Sequence, residues 1–344
     1  MLKPVSNPPN PWDSVHAEWL GQPPQAKLEV FEEHARSILA ENESPDVGFR
    51  WSLNPYRGCF HACFYCYART SHEYLGFGAG TDFDRKIVVK VNAPDRLRAQ
   101  LLRPSWNGEP IIFSGNTDCY QPLEAVYRLT RQCLEICRDF RNPVAIITKG
   151  ALVRRDVDLL AAMARETEVS VFLSIPFSDD AMSRAIEPGA SLASQRFETV
   201  RLLSQAGVRT GVGVAPVIPG LNDDQIASVL ERGKEAGASQ AFLTLLRLPG
   251  QTLPVFRERL LQAFPGRASR VLHAIGETRG GKLNESRFGE RMHGVGPRWE
   301  AIKSLFDTQC RRLGLNLQRA GAKPVQTFRR PTDQGSLFET TLRH

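Results

Sequence analysis

Three cysteines within eight residues are the part of the sequence best suited to chemistry. They stand in the run Cys59-Phe-His-Ala-Cys63-Phe-Tyr-Cys66. Three thiolates at this spacing can hold three corners of a cubane iron–sulfur cluster and leave the fourth iron open to a small molecule. A zinc site with His61 as fourth ligand is the first alternative, although His61 lies between two of the cysteines and fits a tetrahedral site poorly. Three buried, inert cysteines are the second alternative.

An alternation of strands and helices surrounds these cysteines. Short, nearly all-apolar stretches predict strands at 49–54, 110–116, 144–150, 169–175, 208–218 and 240–248, with helical stretches between them. This alternation indicates a parallel sheet that is buried on both faces. Six such units are too few for a closed eight-stranded barrel. We therefore predict an α/β fold, a partial (β/α)6 barrel of the TIM type.

Polar residues follow three of the predicted strands. In such folds, chemistry collects at the carboxyl ends of the strands. We therefore expect these residues to line a common site together with the cysteines: Ser114, Gly115, Asn116, Thr117 and Asp118 after the second strand, Lys149 after the third, and Ser174 after the fourth. Asp118 is equally suited to capping the helix that follows it.

Composition and pattern divide the chain into four parts. Residues 1–26 are rich in proline and predict a mobile tail. Residues 27–250 form the predicted core, which opens with an amphipathic helix over 27–40. Residues 251–318 form a basic C-terminal extension, in which 298–313 predicts another amphipathic helix. Residues 319–344 predict a second tail.

Composition also limits where the protein works. No apolar run approaches the roughly 20 residues that span a bilayer, and the N-terminus lacks the apolar stretch of a secretory signal. We expect a cytoplasmic protein with no membrane partner. Disulfides are disfavoured in that compartment, and core packing is the expected role of the cysteine pair Cys133 and Cys137.

The positive charge is concentrated at the end of the chain. The formal net charge is +7, and the segment from Gln251 to His344 holds 17 basic against 8 acidic residues. A basic segment of this kind suits a polyanion such as nucleic acid, and it equally suits a solvated, arginine-rich surface. Its loop at 277–294 carries paired glycines and four cations, which fits either a phosphate contact or a flexible basic loop.

The cysteine run, with an aromatic before its last cysteine and six strand–helix units around it, resembles the radical S-adenosylmethionine superfamily. The stretches NPYRGCFHACFYCYAR, SGNTDCYQPLE, ITKG and PVIPGLND are similar to the branch of spore photoproduct lyase. The resemblance implies a [4Fe–4S] cluster on Cys59, Cys63 and Cys66, with S-adenosylmethionine on the open iron. One-electron reduction would then release a 5′-deoxyadenosyl radical that abstracts hydrogen from a substrate.

The same resemblance implies roles for other residues. Tyr65 and Tyr67 match a tyrosine pair that helps to return a hydrogen atom in the lyase, while their alternative roles are an adenine contact and core packing. Lys149 matches a lysine that pairs with the methionine carboxylate. Ser174 would hold that carboxylate or the ribose. The segment 114–118 would offer backbone carbonyls and the Thr117 hydroxyl to the methionine amino group.

One departure separates the chain from the lyase. The lyase has a hydrogen-donor cysteine in the segment that aligns with 115–118, where this chain has Gly115 and no thiol. Cys119 follows four residues later and is out of register. The lyase's own lesion repair is therefore not carried over to this chain.

These observations predict a radical enzyme that acts on a large substrate. DNA is the first candidate for that substrate, in a repair or modification reaction. The enzyme would need an electron donor such as flavodoxin or ferredoxin. The segment Gln334–Phe338 resembles the peptide by which bacterial repair proteins dock on the sliding clamp. The rival hypotheses are radical modification of a peptide or small metabolite, and a non-catalytic, metal-stapled nucleic-acid-binding module.

Overall fold

The structure is a computed structural model that describes residues 27–317 and 326–331. Within these residues the strands are β1 (Glu29–Glu33), β2 (Leu39–Glu41), β3 (Trp51–Leu53), β4 (Tyr56–Arg57), β5 (Lys86–Lys90), β6 (Ile111–Phe113), β7 (Val144–Thr148), β8 (Val169–Ser174), β9 (Arg209–Val217) and β10 (Gln240–Leu245). The α-helices are α1 (Thr81–Arg85), α2 (Ala93–Leu101), α3 (Glu124–Tyr127), α4 (Leu129–Asp139), α5 (Val157–Ala164), α6 (Asp180–Ile186), α7 (Ala193–Gln205), α8 (Ile226–Glu235), α9 (Thr252–Ala263), α10 (Ala268–Glu277) and α11 (Gly296–Leu313).

The main sheet forms the predicted partial barrel. Its strand order is β10-β9-β8-β7-β6-β3-β2, in which β3 and β6 to β10 run parallel and β2 pairs antiparallel with β3 at the edge. Six parallel strands in sequence order, joined by helical connections, confirm the prediction of six strand–helix units. All six strands end at the same rim, so the segments that follow them meet there.

The predicted helix over 27–40 is wrong. This segment contains β1, which pairs parallel with β5, and β2, which joins the edge of the main sheet. Ala35, Ile38 and Leu39 are buried as expected, but from an extended chain. The spacing of these apolar residues fits a helix, but it also fits this chain of two short strands. The prediction failed because β5, the strand that β1 pairs with, lies more than 50 residues away in sequence.

A second, smaller sheet leads into the cysteines. Its order is β1-β5-β4, with Tyr56 of β4 paired antiparallel to Val89 of β5. The Tyr56 side chain is fully buried and donates a 2.5 Å hydrogen bond to the buried Glu124. The sheet thus fixes the chain immediately before the cysteine loop, the segment from Gly58 to Tyr67.

Two phenylalanines meet across β9. Phe172 of β8 and Phe242 of β10 pack edge to face, with ring centroids 5.6 Å apart, and both are partly buried. Gly211 and Gly213 of β9 lie between them, and a Cβ on either glycine would come within 2.4 Å of one of these rings. Glycine at both positions of β9 therefore makes room for the two rings.

The C-terminal part of the chain packs on this barrel. The predicted helix at 298–313 is confirmed by α11, which buries Trp299, Ile302 and Phe306. Residues 326–331 also contact the barrel, with Phe328 stacked 6.1 Å from Phe140. Residues 1–26 and the segment Gln334–Phe338 lie outside the described residues. No helix in the described part of the chain is long and apolar enough to cross a membrane.

Candidate active site

Two buried arginines hold the backbone of the cysteine loop. Arg69 donates a 2.8 Å hydrogen bond to the carbonyl of Cys63, and Arg259 donates one of 3.0 Å to the carbonyl of Ala62, a residue with a φ of 55°. Both arginines also bind the buried Asp84, at 2.8 and 2.5 Å. A carboxylate shared between two guanidinium groups offsets much of the cost of burying them. Charge-assisted hydrogen bonds from these two arginines therefore hold the backbone of the cysteine loop in place.

The other side of the loop rests on the segment after β6 and on a turn after α6. Gln121 accepts a hydrogen bond from the Phe60 amide and donates one to the Gly58 carbonyl. In the turn, the Gly189 amide donates to the His61 carbonyl at 3.0 Å, and a Cβ on Gly189 would lie 2.1 Å from the Phe60 carbonyl oxygen. Only glycine allows this approach.

The three cysteines of the loop are free thiols that lie close to one another. Cys59 and Cys63 are buried and Cys66 is partly buried. Burial raises the pKa of all three thiols, and for Cys59 the neighbouring Cys66 and Cys63 add to the effect after Asp118. Ligation would release the thiol protons, since a bound metal compensates the thiolate charge.

Their arrangement bears on the zinc alternative. In the part of the chain that the structure describes, no group of three or more His, Cys, Asp or Glu residues is arranged to hold a single metal ion. A structural zinc site needs four ligands that converge on one ion, whereas each thiolate of a cubane cluster binds its own iron. His61 Nδ1 lies 3.3 Å from Asp118 Oδ2, a contact that metal-bound histidines also commonly make. The three thiols of this one loop fit the three protein-bound irons of a cubane cluster.

The segment 114–118 follows β6 at the rim and is fixed by internal hydrogen bonds. Ser114 has a φ of 78°, and its hydroxyl accepts from the Cys119 amide. The amides of Asn116 and Thr117 both donate to Asn54 Oδ1. The Thr117 hydroxyl donates to the Tyr56 carbonyl at 2.6 Å, and Thr117 is only 2% exposed. Thr117 thus ties the rim to the smaller sheet.

Asp118 ties this segment to the next strand. Its carboxylate accepts from the Lys149 amide at 2.7 Å and from the Thr148 hydroxyl at 2.6 Å, in addition to the His61 contact. Burial by itself would raise the pKa of Asp118, but His61 and these hydrogen bonds hold the pKa well below its usual range. Asp118 also accepts from the Tyr120 amide within a turn, but it does not cap the next helix, because α3 begins at Glu124 with Leu123 at its N-cap.

Lys149 and Ser174 lie together at the ends of β7 and β8. The Lys149 ammonium donates to the Ser174 hydroxyl at 2.7 Å and lies 3.9 Å from a carboxylate oxygen of Glu187. Its side chain retains 16% exposure. A second hydrogen bond, of 3.4 Å, goes to the Ala215 carbonyl, so the ammonium at the rim has one of its three N–H donors left for an anionic group of a ligand.

A fully buried ion pair lies beneath this lysine. Glu187 binds Arg196 at 2.6 Å, and both side chains have no exposure. The Tyr65 hydroxyl donates to the same carboxylate. Burial raises the pKa of Tyr65 well above its ordinary value, and Glu187 adds to the shift. These contacts make Glu187 a brace for the site, whereas nothing in the sequence pattern pointed to Arg196.

Tyr67 differs from Tyr65 in what its hydroxyl contacts. It donates a 2.8 Å hydrogen bond to the Gly115 carbonyl, so it links the cysteine loop to the rim segment. Tyr67 is 43% exposed, whereas Tyr65 is 6% exposed. Arg247, which follows β10, places its guanidinium 5.5 Å from the Tyr67 ring centroid. Of the two tyrosines, Tyr67 is therefore the one that faces open space.

The structure thus brings together the residues that the sequence singled out. Cys119 is the exception, because its side chain is fully buried in the main core. Comparison with protein families gives a match to the radical S-adenosylmethionine (SAM) superfamily over residues 53–233, just over half of the chain. The chain belongs to the radical SAM superfamily. Enzymes of this superfamily use a [4Fe–4S] cluster and S-adenosylmethionine, so this radical SAM protein is an enzyme with those cofactors.

Several relatives of this radical SAM enzyme are known by sequence. An uncharacterized protein of Mycobacterium tuberculosis is 40% identical over 236 residues, which cover 67% of this chain and 69% of the relative. An uncharacterized protein of Methanocaldococcus jannaschii is 29% identical over 198 residues, covering 58% and 71%. The radical SAM Nα-GlyT isomerase of Pseudomonas phage M6 is 26% identical over 213 residues, covering 61% and 42%.

Solved structures support the fold. Spore photoproduct lyase in complex with a dinucleoside spore photoproduct superposes with a TM-score of 0.59 at 16% identity, over 87% of this chain and 86% of that chain. A tyrosine-to-phenylalanine mutant of the same lyase gives a TM-score of 0.58 at 16% identity, over 83% and 80%. The radical SAM enzyme described here therefore shares the fold of the lyase branch, as its motifs suggested.

Proposed function

We propose that this radical SAM enzyme generates its radical with Cys59, Cys63 and Cys66 as cluster ligands and acts on a nucleic-acid substrate. The observation that carries the proposal is the meeting of the cysteine loop with the polar rim of the six parallel strands. When bound, the cluster and S-adenosylmethionine supply a 5′-deoxyadenosyl radical, which removes a hydrogen atom from the substrate. The chain's own residues bind, orient and shield these groups.

Lys149 and Ser174 would bind the methionine carboxylate. The support is their position at neighbouring strand ends, with the Lys149 ammonium 2.7 Å from the Ser174 hydroxyl. The buried pair of Glu187 and Arg196 supports this lysine from below, because the arginine balances the charge of the glutamate. The position of Lys149 is therefore fixed beside a charge-balanced pair.

The rim segment 114–118 would bind the amino group of the methionine. Its backbone is fixed by Asn54, Tyr56 and Tyr67, and it turns sharply at Ser114. A fixed set of backbone carbonyls can receive an ammonium group without reorganising. Asn116 contributes an amide side chain that binds the Ser71 hydroxyl at 3.2 Å.

Tyr67 is our candidate for contact with the radical or the substrate. Tyr65 is buried and its hydroxyl is committed to Glu187, so Tyr65 supports the ion pair. Tyr67 is partly exposed beside the rim segment. A hydrogen-atom relay through Tyr67 is a proposal that follows from this difference.

The nucleic-acid substrate is supported by a structural neighbour and by charge. The lyase that shares the fold forms a complex with a dinucleoside spore photoproduct. The net charge of this chain is +7, with the excess in its last quarter. The proposal includes a flavodoxin or ferredoxin as electron donor and docking of Gln334–Phe338 on a sliding clamp. Radical modification of a peptide or small metabolite is the competing proposal.

The test begins with the enzyme after anaerobic reconstitution with iron and sulfide. Reduction with dithionite in the presence of S-adenosylmethionine should yield 5′-deoxyadenosine, scored by chromatography. Cys63→Ala should abolish it, whereas Cys310→Ala, a buried cysteine far along the chain, should not.

The substrate arm repeats the reaction with deuterated single-stranded DNA. Deuterium in the 5′-deoxyadenosine would show hydrogen abstraction from the nucleic acid. Full cluster loading and unlabelled 5′-deoxyadenosine with every DNA tested would favour the peptide or metabolite alternative.

A further inference from the structure

Arg247 is a cation at the rim, and most of its N–H donors have no strong acceptor among the described residues. Its Nη1 contacts the sulfur of Met292 at 3.5 Å, and sulfur is a weak acceptor. Its Nε is buried and has no hydrogen-bond partner among the described residues. Within the same part of the chain, Arg247 forms no ion pair with a carboxylate. A partly buried guanidinium without strong hydrogen-bond acceptors destabilises the folded protein, unless a ligand supplies those acceptors.

The other arginines near this end of the barrel are engaged with carboxylates or carbonyls. Arg69 and Arg259 share Asp84, Arg196 binds Glu187, and Arg291 binds Asp46 at 2.5 Å. Arg279, on the loop where the sequence suggested a phosphate contact, donates to four backbone carbonyls instead. An unpartnered Nε is common to Arg247, Arg259 and Arg279, so Arg247 differs from these neighbours in its Nη groups, which bind no carboxylate or carbonyl among the described residues.

The position of Arg247 places it beside the proposed reacting groups. It follows β10, the last strand of the barrel, and its guanidinium lies over the ring of Tyr67. Tyr67 in turn binds the Gly115 carbonyl of the rim segment. An anionic group bound by Arg247 would therefore sit next to the space above Tyr67. Burial lowers the pKa of Arg247, and the nearby Arg291 adds to the effect, so an anion there would relieve an existing cost.

An exposed aromatic side chain accompanies this cation. Phe288 is 62% exposed, and the guanidinium of Arg291 lies 4.3 Å from its ring centroid. Arg291 is itself fixed by Asp46 and Ser44, both at 2.5 Å. Phe288 and Met292 belong to the same loop, so the aromatic platform and the free cation lie in one region. A ring held on one side by a fixed cation, with its other face open, is suited to stacking of a nucleobase.

We propose that Arg247 binds a backbone phosphate of a single-stranded nucleic-acid substrate and that Phe288 stacks on an adjacent base. This inference rests on the proposed nucleic-acid function and names the residues that contact the substrate. The aromatic platform favours a nucleic acid over an acidic peptide, because a peptide carboxylate would use the cation alone. Phe288 lies outside the sequence motifs that carried the resemblance to the lyase branch.

The experiment measures binding of a fluorescein-labelled single-stranded dT oligonucleotide to the reconstituted enzyme at several salt concentrations. Arg247→Gln should weaken binding roughly tenfold, the effect of losing a charge-assisted hydrogen bond. It should also reduce the slope of log K against log salt by about 0.7, as expected for one lost phosphate contact. Arg247→Lys should restore most of the slope.

Two further variants complete the design. Phe288→Ala should weaken binding roughly tenfold without changing the salt slope, because stacking is uncharged. Arg257→Gln, which removes an exposed cation from α9, is the matched control and should have little effect on either quantity. Iron content and circular dichroism confirm that each variant is folded.

The outcomes separate the two proposals. If the wild-type enzyme binds the oligonucleotide and Arg247→Gln binds equally well with the same slope, the assignment of Arg247 is wrong while the nucleic-acid proposal stands. If the wild-type enzyme does not bind oligonucleotides, both proposals fail. Binding of a polyglutamate probe through Arg247, with no binding of the oligonucleotide, would indicate an acidic peptide and overturn the assignment.

Discussion

The hydroxyl of Tyr67 donates a 2.8 Å hydrogen bond to the carbonyl oxygen of Gly115. This contact joins the cysteine loop to the rim segment across 48 positions of sequence. It connects the two elements that we propose to hold the two cofactors. The distance between them is therefore set in part by one side chain.

Tyr67→Phe should weaken binding of S-adenosylmethionine to the cluster-loaded enzyme two- to tenfold. The reason is that a neutral hydrogen bond contributes about 0.5–1.5 kcal/mol, and its loss frees the Gly115 carbonyl. Equilibrium binding under anaerobic conditions checks this. The control is Tyr74→Phe, since Tyr67 and Tyr74 both lie on the 3-10 helix Tyr67–Leu75. Unchanged affinity combined with altered deuterium return to the cofactor would indicate a relay role without a positioning role.

Breaking the buried pair of Glu187 and Arg196 should destabilise the enzyme strongly. Glu187→Gln leaves Arg196 buried without its partner, and losses of this kind cost about 3–5 kcal/mol. The double variant Glu187→Gln/Arg196→Met should recover part of that loss, since no uncompensated charge remains. Urea unfolding measures both. Glu198→Gln, from an exposed pair with Arg201, should cost less than about 1 kcal/mol, and an equal loss there would refute the explanation.

Gly189→Ala should impair cluster loading while the barrel stays folded. The new Cβ would lie 2.1 Å from the Phe60 carbonyl oxygen, so the turn after α6 must move away from the cysteine loop. Iron and sulfide content per chain, together with circular dichroism, test this. Gly266→Ala is the matched control, because a Cβ there meets no atom within 4 Å. Full iron loading in Gly189→Ala would show that the loop tolerates the displacement.

His72 should make stability depend on pH between about 4 and 6.5. Burial lowers the pKa of His72 from 6.5 to about 4, although its hydrogen bond to the Lys86 carbonyl opposes the shift. Between these values the unfolded chain binds more protons than the folded one, so the free energy of unfolding falls as pH falls. The full loss is about 3 kcal/mol.

The measurement is the free energy of unfolding of wild type and of His72→Gln at several pH values between about 4 and 6.5. The contributions of other titrating groups cancel in the difference between the two proteins. The variant should lack the His72 component and show a shallower profile. His273→Gln removes an exposed histidine from α10 and should keep the wild-type profile. Parallel profiles for wild type and His72→Gln would contradict the prediction.

Local patterns in the sequence were sufficient to predict the barrel and to place most of the candidate site residues at one end of it. Each strand is a short apolar run, and the carboxyl ends of parallel strands share one rim. Cys59, Lys149 and Ser174 could therefore be placed near one another from the sequence alone. The spacing of the cysteines and the motifs around them also indicated the superfamily that the comparison confirmed.

The tertiary structure decided the features that depend on partners distant in sequence. The segment 27–40 forms strands because β5 and β3 pair with it, and its periodicity alone could not show this. Arg196, Arg259 and Asp84 resemble ordinary charged residues in the sequence, and only folding buries them together with their partners. Arg247 likewise became notable only when its neighbours proved to be paired. A sequence shows which residues are charged. Whether a charged residue has an oppositely charged partner depends on distances that only the folded structure sets.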